Sequence, residues 1–311
     1  MRNSSCPICH VPIHTILYQA YDRMFGIAGK FYIERCELCK TLTITPKPNK
    51  KKLALYYPSQ SYYSYSDSNN SILKKLRMYL IEKFYHPTLF SKILFLFVNT
   101  VPAIPRMKKD GKIIDIGCGN GETLRTLKKY GWDTYGVDID AKAIDRAKKS
   151  GLENTYIGSY RKLSVFPDGY FDVIRSYHVI EHLDDPALFL MLAKKKLKKG
   201  GELIIGTPNG QSIVAKIFGS FWYNLDCPRH LFVFSPTSLQ TLLTQYEFHI
   251  SDMRFCSGGG VLGSIQYIIA SIRGKRTQWI DNPLLFFFFY PIDWLFDRMG
   301  MGDVFVITAH R

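Results

Sequence analysis

From about residue 111 the chain alternates short apolar runs with longer stretches in which apolar residues recur every three or four positions. The short runs, at residues 112–116, 134–138, 155–157, 171–176 and 202–206, are read as strands, and the stretches between them as helices. Strict alternation of the two predicts parallel strands joined by crossover helices, an α/β fold. A helix at 238–246, a strand at 249–255 and a last strand at 304–309 follow. The intervening 256–302 is longer than a connecting loop and is expected to be functional or to carry helices of its own. Upstream, residues 72–100 show helical spacing of Leu, Ile and Phe between lysines. Residues 46–71, PKPNKKKLALYYPSQSYYSYSDSNNS, have no sustained period and read as a linker. Three parts result: 1–45, a Tyr-rich linker and helical segment over 46–110, and 111–311 with an insertion at 256–302.

The run at 113–122 reads IIDIGCGNGE, an apolar strand ending in Asp115 and followed by Gly117, Gly119 and Gly121. Such a turn lets the backbone approach a ligand where a Cβ would clash. A dinucleotide fingerprint starting at Gly117 needs a third glycine at position 122, and that position holds Glu122. The G-x-G-x-G form after an acid resembles motif I of the class I S-adenosylmethionine (SAM) methyltransferases. Asp138, in YGVDID, stands about 20 residues further on, where an acid meets ribose hydroxyls. HVIEHLDDP, KKGGELIIGTPN and WYNLDCPRHLFVFSPTSL follow in the order found in that group. The chain from about residue 111 resembles a SAM-dependent methyltransferase related to the quinone-biosynthesis O-methyltransferases.

That resemblance implies a Rossmann-like class I methyltransferase sheet with helices on both faces, ending in a reversed strand. It further implies that Asp115 anchors the methionine end of the cofactor and that Gly117 and Gly119 let the backbone approach it. Asp138 takes the ribose, Ile139 packs beside the adenine, and Tyr177 lines the sulfonium side. Ser159 replaces the acid that many relatives place after the third strand. Methyl transfer asks the enzyme to align the acceptor and, where needed, to take its proton. A histidine suits that task, and His182 and His230 are the catalytic candidates. The alternative for His182 is a loop tie through hydrogen bonds. Arg229 reads as a binder of acceptor phosphate or carboxylate, or as a structural ion pair. Cys118 sits inside the glycine turn as the small side chain required there.

Cys6, Cys9, Cys36 and Cys39 form two C-x-x-C knuckles. Each knuckle can present two thiolates to one tetrahedral metal, which predicts a small N-terminal four-cysteine zinc ribbon with a hairpin between the knuckles. His10 is a bystander once four cysteines are available. A redox C-x-x-C would be expected beside a βαβ unit, and seven cysteines are too few for a disulfide scaffold. The ribbon followed by YYPSQSYYSY also resembles methyltransferases of bacterial surface-polysaccharide pathways and sugar C-methyltransferases. Tyr56, Tyr57, Tyr62, Tyr63 and Tyr65 can pack a ring and leave a hydroxyl for a ligand, with simple packing as the favoured reading.

The 311 residues suffice for a large domain plus a small one, and the formal charge of +15 admits anionic partners. Lysine runs at 50–52 and 194–199 read individually as solvated faces. The N-terminus lacks an apolar signal core, so a cytoplasmic protein is expected. No run reaches the length of a membrane span. LLFFFFYPIDWLF at 284–296, with Arg273, Lys275 and Arg276 upstream, can lie in a membrane interface or in the core. Peripheral contact with the inner face of the membrane is therefore carried as an option. The expected function is SAM-dependent O- or C-methylation of a small-molecule, sugar or lipid-linked acceptor in envelope polysaccharide or isoprenoid metabolism. The alternatives are an rRNA methyltransferase that uses its zinc ribbon on RNA, and a non-catalytic scaffold. Nucleic acid is the less favoured partner because relatives of the RNA type close their metal site with a cysteine and a histidine.

Overall fold

The computed structural model describes residues 5–12, 15–58, 72–98, 103–275 and 279–311. Tyr62, Tyr63, Tyr65 and Arg276 lie outside them. A seven-stranded sheet occupies the centre, in the order β10-β11-β8-β7-β4-β5-β6. Its strands are β4 (Lys112–Ile116), β5 (Asp133–Asp138), β6 (Thr155–Ile157), β7 (Phe171–Tyr177), β8 (Leu197–Pro208), β10 (His249–Phe255) and β11 (Val304–His310). The strands from β6 to β8 run parallel, and β11 pairs antiparallel with both β8 and β10. The reversed final strand expected from the resemblance is present. Order reverses between β4 and β7, so the carboxyl ends of these two strands border the crevice where open α/β sheets bind ligands.

Both faces of the sheet are buried, which is why its strands carry apolar residues at consecutive positions. Ile113, Val173, Ile204 and Val306 pack in one cluster with Ile81 of α2 (Ile72–Tyr85) and Leu127 of α4 (Glu122–Lys129). Ile114, Ile174, Leu203 and Ile307 pack on the other face with Phe189 of α6 (Pro186–Lys196) and Leu239 of α8 (Pro236–Gln245). β8 starts five residues earlier than the apolar run suggests, because Leu197 continues the ladder opposite Phe171 across an irregular register. The helical stretch 72–100 is divided into α2 and α3 (Leu89–Phe97). Pro87 ends the first helix, and Thr88 caps the second by a reciprocal pair of hydrogen bonds with Ser91.

The N-terminal strands β1 (Thr15–Ala20), β2 (Phe31–Arg35) and β3 (Leu42–Thr45) form a meander. Its fourth strand is β9 (Phe232–Val233), which pairs with β3 through Leu42 opposite Val233 and Thr43 opposite Phe232. The stretch expected as a structureless linker contains the short helix α1 (Lys50–Leu55), started by the Asn49 side chain accepting from Lys52 N. The 256–302 insertion carries α9 (Gly260–Arg273) and α10 (Pro283–Arg298).

Candidate active site and cysteine centre

The turn after β4 is held open by three glycines with φ of +77°, +53° and +75° at positions 117, 119 and 121. A Cβ on Gly117 would fall 2.2 Å from Val179 Cγ2, where the loop after β7 crosses the switch point. Beyond Gly119 no atom lies within 4 Å of a Cβ position, leaving open space over the backbone. Asp138 ends β5, and its carboxylate accepts from Gly119 N and Asp140 N at 2.8 and 2.9 Å. Burial raises its pKa against these donors. Burial likewise raises the Cys118 thiol, with Asp115 and Asp138 adding to it, so it is no nucleophile.

Asp115 is buried, and both its oxygens accept from Arg175 Nη1 at 2.8 Å. Arg175 Nε donates to Ala103 O, and its guanidinium lies over the Tyr177 ring. Tyr177 itself packs where a side chain on Gly206 would stand. Ile139 is 69% exposed. Ser159 caps the turn that follows it, with its hydroxyl accepting from Arg161 N. Arg175 was not anticipated, although a charge in the middle of the core strand FDVIRSY is itself the sign of a buried partner.

Beyond β7 the chain brings together His178, Glu181, His182 and His230. Glu181 is fully buried and accepts from the Thr207 hydroxyl at 3.0 Å, with His178 Nδ1 at 3.2 Å. Burial works to raise its carboxyl, but His178, and then His230 and His182, outweigh it and hold the pKa down to about 2. His182 Nδ1 stands 3.0 Å from both Tyr57 Oη and the Arg229 carbonyl. The rings of His182 and His230 meet edge to face, with centroids 4.6 Å apart. His230 Nδ1 lies 2.9 Å from the Asn224 carbonyl, which accepts its proton. Its Nε2 faces Glu181 and Asp226, both at 3.9 Å. Burial, reinforced by His182, lowers His230 to about 4 and keeps it neutral near pH 7. A neutral ring and a buried carboxylate side by side can hold and pass a proton.

Arg229 is the structural ion pair of the two alternatives read from the sequence. It is fully buried, with Nη2 2.8 Å from Asp22, Nε 2.9 Å from Asp226 and Nη1 2.9 Å from the Tyr56 carbonyl. Asp22 carried no motif, and Asp226, though inside WYNLDCPRHLFVFSPTSL, was not singled out. The same guanidinium therefore fastens the N-terminal module to the loop that carries His230.

The four N-terminal cysteines converge, with Cys6 Sγ 3.5 Å from Cys39 Sγ and Cys9 Sγ 3.4 Å from Cys36 Sγ. All four sulfurs lie within 4.8 Å of one another, and none forms a disulfide. Four ligands around tetrahedral zinc would stand roughly 3.8 Å apart, so the donor set and its spacing fit one such ion. His10 is not in this group. The Cys39 carbonyl accepts from the Ser235 hydroxyl at 2.9 Å, at the start of α8.

A family model described as a methyltransferase domain matches residues 81–252. Over 105 residues the chain is 31% identical to the ubiquinone biosynthesis O-methyltransferase of Colwellia psychrerythraea, covering 32% of this chain and 43% of that one. It is 31% identical over 117 residues to the enzyme of the same name from Cereibacter sphaeroides, covering 36% and 47%. The chain spans less than half the length of these curated relatives. Among solved structures, a SAM dependent methyltransferase from Archaeoglobus fulgidus is 21% identical, with a TM-score of 0.47, covering 75% of this chain and 99% of that one.

Proposed function

This chain belongs to the methyltransferase-domain family, and from that premise we propose that it methylates oxygen or carbon on a small-molecule, sugar or lipid-linked acceptor, using SAM. The reading assigns the acceptor to envelope polysaccharide or isoprenoid metabolism. It is carried by the open turn at Gly117, Gly119 and Gly121, tied to Asp138 at the switch point and facing the histidine cluster across the Val179 contact. In this reading Gly119 and Asp138 hold the adenosine ribose, Ile139 covers the base, and the Asp115–Arg175 pair and Tyr177 stand toward the methionine end. Bound there, SAM supplies a methyl group on a positively charged sulfur, which needs no metal or acid to leave. The chain's own contribution is alignment and proton handling. His182 receives the acceptor proton in this proposal, oriented by Tyr57 and the Arg229 carbonyl. His230 is neutral and Glu181 ionised, so that a proton gained by His182 is stabilised by the Glu181 charge. Cys6, Cys9, Cys36 and Cys39 would hold a zinc ion, which would brace the N-terminal module against which the segment carrying Tyr57 is set.

The test is calorimetric binding of SAM and its demethylated product, followed by incubation with labelled SAM and membrane or cytosolic extracts and mass analysis of the product. Binding of both nucleosides and label in one acceptor are expected. His182→Ala is expected to lower kcat by about 10²- to 10⁴-fold with SAM affinity unchanged. Absence of nucleoside binding would leave a non-catalytic scaffold; label entering only RNA would replace the acceptor class; and an unchanged kcat would remove His182 from proton transfer.

A further inference from the structure

The helix α10 packs Phe289 and Phe296 against a core cluster, yet its most deeply buried residues are acids. Its two carboxylates are the residues it buries: Asp293 accepts from Gly259 N at 2.8 Å, and Asp297 accepts from Ser257 N and Oγ at 2.9 and 2.6 Å. Leu284 and Phe288 point the other way and are 81% and 73% exposed. The helix α3 behaves alike. Ser91 is its one buried residue, while Leu89, Phe90, Ile93 and Phe97 stand in solvent. The two helices are joined at one end, where Trp294 Nε1 donates to the Leu96 carbonyl at 3.2 Å, Arg298 reaches the same oxygen, and the Phe97 and Trp294 rings stack. An apolar surface shared by two adjoining helices is larger than the scattered hydrophobics usual on a monomer.

The charges bordering this surface are mostly positive; the exposed acids near it are Asp281, before α10, and Asp252, which pairs with Arg254. Arg298 on α10 is exposed at the joined end, Lys92 is exposed about one turn from it on α3, and Arg273 and Lys275 are exposed in the segment that leads toward the start of α10. Neither helix turns a carboxylate outward; the exposed acid nearest α10 in sequence is Asp281, which precedes it. A second copy seated on this face would meet the same cations without acids from either helix to pair them. No helix among the described residues is long and apolar enough to cross a membrane. Outward aromatics with a basic border are instead the composition of a surface that lies in the headgroup region of a bilayer.

We propose that α3 and α10 together form a docking face for an anionic lipid bilayer. The proposal deepens the lipid-linked acceptor reading, and its test does not pass through catalysis. A cavity of about 730 Å³ opens between α3, α10 and the β10 edge, lined by Phe95, Leu96 and Phe255 with Arg254 and Arg298, and apolar chains of the docked layer would face it.

The measurement is co-flotation of the full chain with vesicles of phosphatidylcholine containing phosphatidylglycerol, compared with phosphatidylcholine alone, at low and high salt. Binding to the anionic vesicles that weakens with salt is expected. Phe90→Ser/Phe288→Ser should lower the partition coefficient more than about tenfold. Lys92→Glu/Lys275→Glu should lower it by at least about fivefold per charge. SAM binding measured on each variant reports that the fold is intact and separates this inference from the methyltransferase reading. Absence of flotation with anionic vesicles, or equal flotation of the Phe90→Ser/Phe288→Ser variant, overturns the proposal. Concentration-dependent dimerisation abolished by those serines also overturns it, in favour of a second copy on the face.

Discussion

Replacing Arg229 by Met keeps much of the side-chain volume and removes the charge that lies between two buried acids. Asp22 keeps the backbone donors Phe25 N and Ile27 N at 3.2 and 3.0 Å, so its carboxylate remains partly satisfied. Asp226 is left with His230 Nε2 at 3.9 Å, and the Tyr56 carbonyl loses its donor. Removing one partner of a buried ion pair costs about 3–5 kcal/mol, and Asp226 carries most of that cost. The expected fall in melting temperature is roughly 5–15 °C. In the parent protein burial works to raise the Asp226 carboxyl, but Arg229 outweighs it and the pKa is lowered. A depressed carboxyl contributes stability above its ordinary pKa and loses it as pH falls through the folded value. Without Arg229, burial is opposed only by His230 and His182, and the folded pKa of Asp226 rises. The cost in the variant is then absent below the ordinary carboxylate pKa and complete above the raised one. Urea titrations followed by tryptophan fluorescence at about pH 7.5 and about pH 5 should show the gap between parent and variant narrowing in acid. Arg229→Met/Asp226→Asn should recover part of it at neutral pH. A gap below about 1 kcal/mol at neutral pH, or one that widens in acid, would refute the electrostatic account.

Asp138→Ala is expected to weaken SAM binding at least about tenfold, or 1.4 kcal/mol, with the thermal unfolding of the sheet retained; calorimetry showing the parent affinity removes the ribose assignment. Cys36→Ser should release the single zinc per chain expected by metal analysis, and because Tyr57 reaches His182 from the segment that follows the N-terminal module, it should also lower methyl transfer. A variant that keeps one zinc contradicts the four-thiolate centre, and one that loses zinc with full activity separates the module from the acceptor side.

The sheet was legible because its strands are buried on both faces and stand out as apolar runs, and because the glycine turn marks the first crossover. Edges of elements were less legible. β8 reaches back to Leu197 because that residue pairs with Phe171 across an irregular register, which hydropathy does not show, and α1 depends on one Asn49 cap rather than on apolar period. At the candidate site, Asp138, His182 and His230 carry motifs and could be named from the sequence as candidates. Buried charge partners could not: Arg175 and Asp22 stand far in sequence from Asp115 and Arg229, and Asp226, three residues before Arg229, acquires its role only when the fold buries the pair. The helix α10 was half legible. LLFFFFYPIDWLF shows the aromatics, but only the packing shows that Asp293 and Asp297 face inward.

The strand β9 completes the N-terminal sheet from a position late in the chain. A ribosome therefore releases the cysteine knuckles long before it has made residues 232–235, the segment that seals β3 and donates to the Cys39 carbonyl. Long-range pairing of this kind slows folding, since a large loop must close before the contact is gained. The nascent module must wait with its edge strand open. Capture of the proposed zinc by its thiolates would be local, so it would precede that closure and keep the early hairpin in register until the rest of the polypeptide arrives.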